Sequence, residues 1–412
     1  MTAADQPTPG PHTGPLAGLR VVEVGTMITA PLAAMMLGDQ GADVIKIESP
    51  GIGDVMRYLG ETVAGTSALW LTCNRSKRGV ALNLGDPRGQ QVARRLLAGA
   101  DVVIQNFRPG VVDRLGIGEP AVRAENPGVI YVSISGYGFT GPMASRPAYD
   151  NIIQAATGVA AAQTDPLTGQ PSLIRNLICD KITAYTVAQA ATAALFSRER
   201  HHRLTGEIVG QHLRVAMIDA TLAFLWSDAM MGETFLDRDR VTPGPVIGQA
   251  YSLAQTSDGF VTSTMITEGQ FRGMANAIGH PEWVTDPRLQ GVPNRMANIE
   301  LWRGPLVEFI SSTPTDEVVR RFVEHDVPCT GVTTLTDVAS HPQVVANESL
   351  VDHDRGPYGR LREPRPPVDF STTPARIGAV PPMLGADTDD VLAGLGYTPA
   401  DLADLRTTGA IG

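Results

Sequence analysis

The first half of the chain alternates short apolar runs with longer stretches of helical periodicity. LRVVEVG (19–25) is a β-branched run ending in glycine, APLAAMMLGDQG (30–41) has helical composition and a glycine stop, and ADVIKIE (42–48) reads as a second strand. GVALNL (79–84) is strand-like, PRGQQVARRLLAGA (87–100) is an amphipathic helix, and DVVIQNF (101–107) and GVIYVSIS (128–135) are apolar strands. Strands spaced by helices predict an α/β fold with a parallel sheet and crossover helices. Ligands of such sheets bind beyond the carboxyl ends of the strands. Thr26, Glu48, Asn106, Phe107, Gly136 and Tyr137 fall at those ends.

The middle of the chain changes character. A helix over 181–200 ends in the charged loop RERHHRLTGE, and VAMIDATLAFLWSDAMM (215–231) reads as another helix. A Pro/Gly break, TPGPVIGQA (242–250), precedes a strand in DGFVTSTMI. Thr313-Pro314-Thr315-Asp316 and Thr398-Pro399-Ala400-Asp401 share a helix-start signature: a Thr cap, Pro at the first helical position, an acid in the first turn. Residues 354–383 are rich in Pro, Arg and Gly and predict an extended run, and no internal repeat is present.

Composition narrows the classes. With 412 residues the chain exceeds one core, so two domains are expected. A formal charge of −10 argues against nucleic acid or an anionic membrane as partner. Cys73, Cys179 and Cys329 lie far apart with no CxxC pair, which suits a reducing cytoplasm and offers no zinc site. The opening MTAADQPTPGPHTG lacks a signal peptide's pattern and reads as a frayed tail. No stretch reaches the ~18 apolar residues of a membrane span.

Several motifs tempt. GYGFTG (136–141) follows a strand, but Pro142 and Pro147 stand where a dinucleotide site opens a helix. Glu48 sits about where a ribose-binding acid belongs, yet the first turn, GTMITAP, carries one glycine. An NAD-dependent oxidoreductase is thus the weaker reading. His201, His202 and His212 flank a basic loop and read as solvated, and Arg75, Lys77 and Arg78 form either a solvated loop or an anion contact. Asp180 opens a run of small apolar residues, NLICDKITAYTVAQAATAALF (176–196). Two roles stay open for it: a helix cap, stabilised by the dipole, or an ionised and poorly solvated nucleophile.

Taken in order, LAGLRVVEVG, GADVIKIESPGIGD, NRSKRGVALNL, QNFRPGVVDRLG, SISGYGFTGP, AYDNIIQAATG, the Asp180 segment, RLTGEIVGQHLRVAMIDA and PPMLGADTDDVL resemble the family III CoA-transferases from about Leu16 to Arg406. The resemblance implies a Rossmann-like large domain, a smaller α+β domain and an interlocked homodimer. The expected boundaries are a disordered tail 1–15, a large CoA-binding domain 16–215, a small domain 225–330 and a C-terminal segment 331–412 returning to the large domain. It implies Asp180 as nucleophile, attacking an acyl-CoA donor and passing CoA to a carboxylate acceptor through an anhydride and an aspartyl-CoA thioester. Coenzyme A is then a thioester substrate, with no permanently bound cofactor and no metal. Ile28 and Thr29 match the turn lining the active site, Leu82 to Gly85 an adenosine-side segment, and Asn106, Phe107, Arg108 and Arg114 a nucleotide and phosphate contact. Ser135 to Gly138, with Gly136 and Tyr137, match a loop over the pantetheine arm.

Three departures carry expectations. Ser49 stands where the family often has a 3′-phosphate arginine, which leaves Lys46 or Arg75 to substitute. Ala386 and Asp387 replace a usual C-terminal histidine, and a shielding glycine loop is reduced to GPVIGQA. Racemase relatives place His before the Asp of AYDNI; here that residue is Tyr149, a poor base with an ordinary pKa near ~10. Transferase is favoured over an acyl-CoA racemase or a non-catalytic CoA-thioester binder.

Overall fold

Six strands, all parallel, form the central sheet: β1 (Arg20–Val24), β2 (Asp43–Glu48), β3 (Lys77–Ala81), β4 (Val102–Gln105), β5 (Ile130–Ser135) and β6 (Gln211–Ala216). Their order, β3-β2-β1-β4-β5-β6, reverses between β1 and β4. A doubly wound sheet opens a crevice at that reversal, because the connections leave to opposite faces there. The computed structural model describes residues 13–242, 244, 248 and 251–412; the tail residues 1–12 and most of GPVIGQA lie outside them.

Each face of the sheet has its own core. Helix α1 (Thr29–Asp39) and the long helix α4 (Ile178–Thr205) cover one side, with Ala30, Ala33, Ala34, Ala184, Ala188 and Ala191 packed against Val21, Val44, Ile104 and Val132. Small side chains let these backbones approach the sheet closely. Helix α2 (Pro87–Ala98) covers the other side together with helices Thr388–Gly394 and Pro399–Thr407, whose Val391, Leu392, Leu402 and Leu405 join Val22, Ile45 and Val80. Ala81 and Leu82 are stitched to Gly412 and Ile411.

The chain divides into two units: one runs to Trp226 and resumes at Glu348–Gly412, the other is Ser227–Asn347. The second holds a three-stranded antiparallel sheet in which Phe260–Ser263 pairs with Ala254–Gln255 and Cys329–Gly331, beside helices Glu268–Ala277, Ile299–Ser312 and Thr315–Glu324. It extends past the expected boundary at 330, and the chain rejoins the first unit at Glu348.

Several local expectations are corrected. The charged run RERHHRLT continues α4 to a left-handed Gly206 instead of forming a loop. QHLRVA is edge strand β6, so the following helix, α5 (Met217–Trp226), starts later than 215. Thr313 is no cap: helix Thr315–Glu324 starts after Pro314, and Asp258 bonds Thr315. Thr398 does form its capping box with Asp401. Within 354–383 the expected extended run includes a strand, Arg360–Pro364, paired with Leu350–Asp354.

Candidate active site

The crevice at the sheet reversal has two lobes sharing Thr26 and Phe107. One, of about 230 Å³, is lined by Thr29, Asn106, Arg108, Gly136, Tyr149 and Asp180 among others. The other, of similar volume, is lined by Glu48, Ser49, Leu82, Asn83 and Gly85. Together they make an elongated groove across the carboxyl ends of β1, β2, β4 and β5.

Local hydrogen bonding sets the floor. Asn106, just after β4, accepts from the Thr26 N–H at 3.0 Å and donates to the Thr26 carbonyl at 2.8 Å and Thr29 Oγ1 at 3.2 Å. The Met27 N–H is held by both oxygens of buried Asp54 at 3.2 and 3.1 Å, and Met27 sits at φ +65°, a costly conformation for a residue with a side chain. The Phe107 N–H donates to Gln105 Oε1 at 2.8 Å. The turn between β1 and α1 is thereby braced from β4 and from the loop after β2.

Asp180 answers the question its sequence left open. Helix α4 starts at Ile178 with Leu177 at its N-cap and no side-chain cap, so Asp180 lies inside the first turn. Asp150, the first residue of α3 (Asp150–Thr157), caps it from another element by accepting from the Asp180 N–H at 3.0 Å. Gln154, one turn along α3, donates to Asp150 Oδ1 and to the Ile174 and Asn176 carbonyls, and accepts from the Ile174 N–H. The Asp180 carboxylate takes no hydrogen bond from the described residues. Its burial, and next the Asp150 charge, push its pKa up from 3.8 to about 7. Burial thus opposes the full ionisation at neutral pH that the sequence reading expected of Asp180. Neighbouring Cys179 is fully buried and pushed by burial to about 11, which leaves it inert as a thiolate.

The other expected residues separate into groups. Thr29, Asn106, Phe107, Arg108 and Gly136 line the Asp180 lobe, and Leu82 and Phe107 line the second. A methyl on Gly136 would lie 2.3 Å from Ala148 Cβ, so only glycine allows the loop over the lobe to seat there. Ile28 instead packs in a core with Met56, Trp70 and Tyr358, and Tyr137 packs beneath the site against Ile153, Cys179 and Met217. Arg114 is exposed at the end of a short helix, Val111–Arg114, outside the lining of both lobes.

Neither expected substitute for the 3′-phosphate arginine is available. Lys46 is fully buried, bonded to Glu23 and the Gly25 carbonyl at 2.8 Å each and 3.3 Å from Asp54. Arg75 is buried between Asp39 and Glu363. Glu48 is likewise engaged, forked onto Arg57 at 2.9 and 2.7 Å, so it offers no free ribose acceptor. No helix follows GYGFTG until Asp150, as the two prolines predicted. Residues that the sequence reading missed are Asp54, Asp150, Gln154 and Arg146. For Asp150 and Gln154 the i, i+4 spacing on one helix face was an available signal; Asp54 and Arg146 had none.

Residues 16–388 match the family model described as CoA-transferase family III. Succinyl-CoA:glutarate CoA-transferase of Mus musculus is 30% identical over 403 residues, spanning 96% of this chain and 90% of its own. Acetyl-CoA:oxalate CoA-transferase of Acetobacter aceti is 32% identical over 371 residues, spanning 88% and 91%. The crystal structure of a CAIB/BAIF family protein from Brucella suis superposes with a TM-score of 0.79 at 31% identity, covering 93% of this chain and all of that one.

Proposed function

The chain belongs to CoA-transferase family III and is a CoA-transferase, and we propose that Asp180 is the nucleophile of its covalent transfer cycle. The carrying observation is the unbonded, desolvated Asp180 carboxylate lining a crevice at the sheet reversal.

In the cycle, an Asp180 oxygen attacks the thioester carbonyl, the C–S bond breaks, and CoA leaves as thiolate from a mixed anhydride. The thiolate attacks the Asp180 carbonyl carbon and releases the donor acid as carboxylate, leaving aspartyl-CoA. The acceptor carboxylate displaces CoA from that carbon, and the thiolate then attacks the acceptor's acyl carbon. CoA leaves on the new acid and the Asp180 carboxylate is restored. Each attacking group is an anion, so the cycle needs no general base once Asp180 is ionised. A raised pKa makes the ionised form more basic and more nucleophilic.

Thr29, Asn106, Arg108, Gly136 and the Tyr137 segment would border the pantetheine and phosphates, Leu82 and Phe107 the adenosine. The relatives' names pair CoA thioesters with carboxylic acids, and we assign the same class of donor and acceptor here. The functional particle is read as a homodimer. A reducing compartment such as the cytoplasm suits three free thiols. GPVIGQA (244–250), to which the family's shielding glycine loop is reduced here, lies mostly outside the described residues.

Incubation with acyl-CoA and hydroxylamine or borohydride tests the reading. An adduct on Asp180 is expected, and full turnover by Asp180→Ala would overturn it. Tyr149 borders the lobe where a racemase would need a histidine, so no deuterium exchange at the substrate α-carbon is expected.

A further inference from the structure

We infer that Arg146 selects the acid, holding the far carboxylate of a dicarboxylic substrate whose near carboxylate reacts at Asp180. The inference rests on the reading of Asp180 as nucleophile.

Arg146 lines the same lobe as Asp180, where the charged lining side chains are Arg108, Arg146 and Asp180. Several arginines of this unit are matched to acids: Arg20 and Arg78 to Asp43, Arg57 to Glu48, Arg75 to Asp39, Arg198 to Asp101. Arg146 pairs with no acid among the described residues. Asp150, the nearest acid along the chain, is buried and already accepts from Asp180 and Gln154.

Arg146 is exposed, and the backbone that carries it is braced. Its backbone N–H donates to the Met143 carbonyl at 2.9 Å, and Ala148, two residues on, seats against Gly136 with no room for a methyl between them. Asp150, two further on, binds the nucleophile's own N–H. One short segment therefore carries both the arginine and the clamp on Asp180.

Transfer through anions asks for no cation beside the reacting acid. A monocarboxylic acid commits its single carboxylate to Asp180 and leaves Arg146 without a partner. A second carboxylate gives the guanidinium a planar, two-oxygen acceptor, the geometry it binds most strongly. Arg108, on the strand-end segment beside Phe107, serves the thioester's phosphates in the reading above.

The test measures CoA transfer from acetyl-CoA to acid pairs matched in carbon number: succinate against butyrate, glutarate against valerate. The enzyme should prefer at least one dicarboxylate. Arg146→Gln should lower that preference by about ten- to a hundredfold in kcat/KM, the range for losing a charged hydrogen-bonded contact, and Arg146→Lys should restore part of it. Equal loss for both acids of a pair, preference for the monocarboxylates, or a matching loss of CoA affinity by calorimetry would overturn the inference. Hydroxylamine trapping from acetyl-CoA separates it from the parent reading: an adduct on Asp180 with unaltered preference refutes the role of Arg146 alone. Altered preference without the adduct refutes the nucleophile alone.

Discussion

The carboxylate of Asp150 accepts a hydrogen bond from the backbone N–H of Asp180 at 3.0 Å, and the same negative charge opposes ionisation of the Asp180 side chain. One residue thus both caps the helix that carries Asp180 and adds to the burial that raises the Asp180 pKa.

The pH profile should show this. In the proposed cycle, reaction of the free enzyme with acyl-CoA needs ionised Asp180, so kcat/KM should be flat above pH 7. It should fall about tenfold per pH unit below. Asp150→Asn removes a charge that raises the pKa, so the acid limb should move to lower pH. Rapid-quench measurement of the acylated enzyme between pH 5 and 9 checks both; an unmoved limb would remove Asp150 from the tuning.

Stability should answer in the opposite sense. The pKa of Asp180 is raised on folding, so between about pH 4 and 7 the folded state holds a proton that the unfolded state releases. Stability then falls as pH rises through that window. Asp180→Asn should match the parent near pH 4 and exceed it by a few kcal/mol, on the order of 2–4, above pH 7. Thermal melts at pH 4, 6 and 8 decide, with loss of transfer expected throughout.

Asn106→Ala removes the clamp between the two strand-end turns. The Thr26 N–H and carbonyl lose their partner, and Met27 in its left-handed conformation loses support from that side. We expect roughly tenfold weaker CoA binding by calorimetry and a stability loss of about 1–3 kcal/mol.

Gly136→Ala tests the seat of the loop. A methyl 2.3 Å from Ala148 Cβ must displace the segment carrying Arg146 and Tyr149. Transfer activity should fall at least about tenfold while the melting free energy drops by about 1–3 kcal/mol. Circular dichroism together with steady-state rates separates the two effects.

Much of the parallel sheet was legible because its interior strands are buried on both faces and read as apolar runs; Ile130–Ser135 is an example. Edge strand Gln211–Ala216 was not, since its half-wet alternation of Gln211, His212 and Arg214 resembles a loop. RERHHRLT misled for a related reason: the end of a long helix running into solvent is polar on every side. Asp180 could be placed from local sequence and family resemblance, but its relation to Asp150 could not, because it joins residues 30 positions apart. The pairing of Arg75 with Glu363, 288 positions away, hid in the same way. A lone basic residue looks alike in sequence whether its acid is absent or arrives from the far end of the chain.

The helices Thr388–Gly394 and Pro399–Thr407 shield one side of a sheet whose six strands have all been made by Ala216. During synthesis that sheet waits, its oily flank only partly covered by helix α2, while more than a hundred intervening residues emerge and form their own unit. Chains stalled or cut in the interval should be sticky, and recovery of the enzyme should depend on chaperone capacity more steeply than its final stability would suggest.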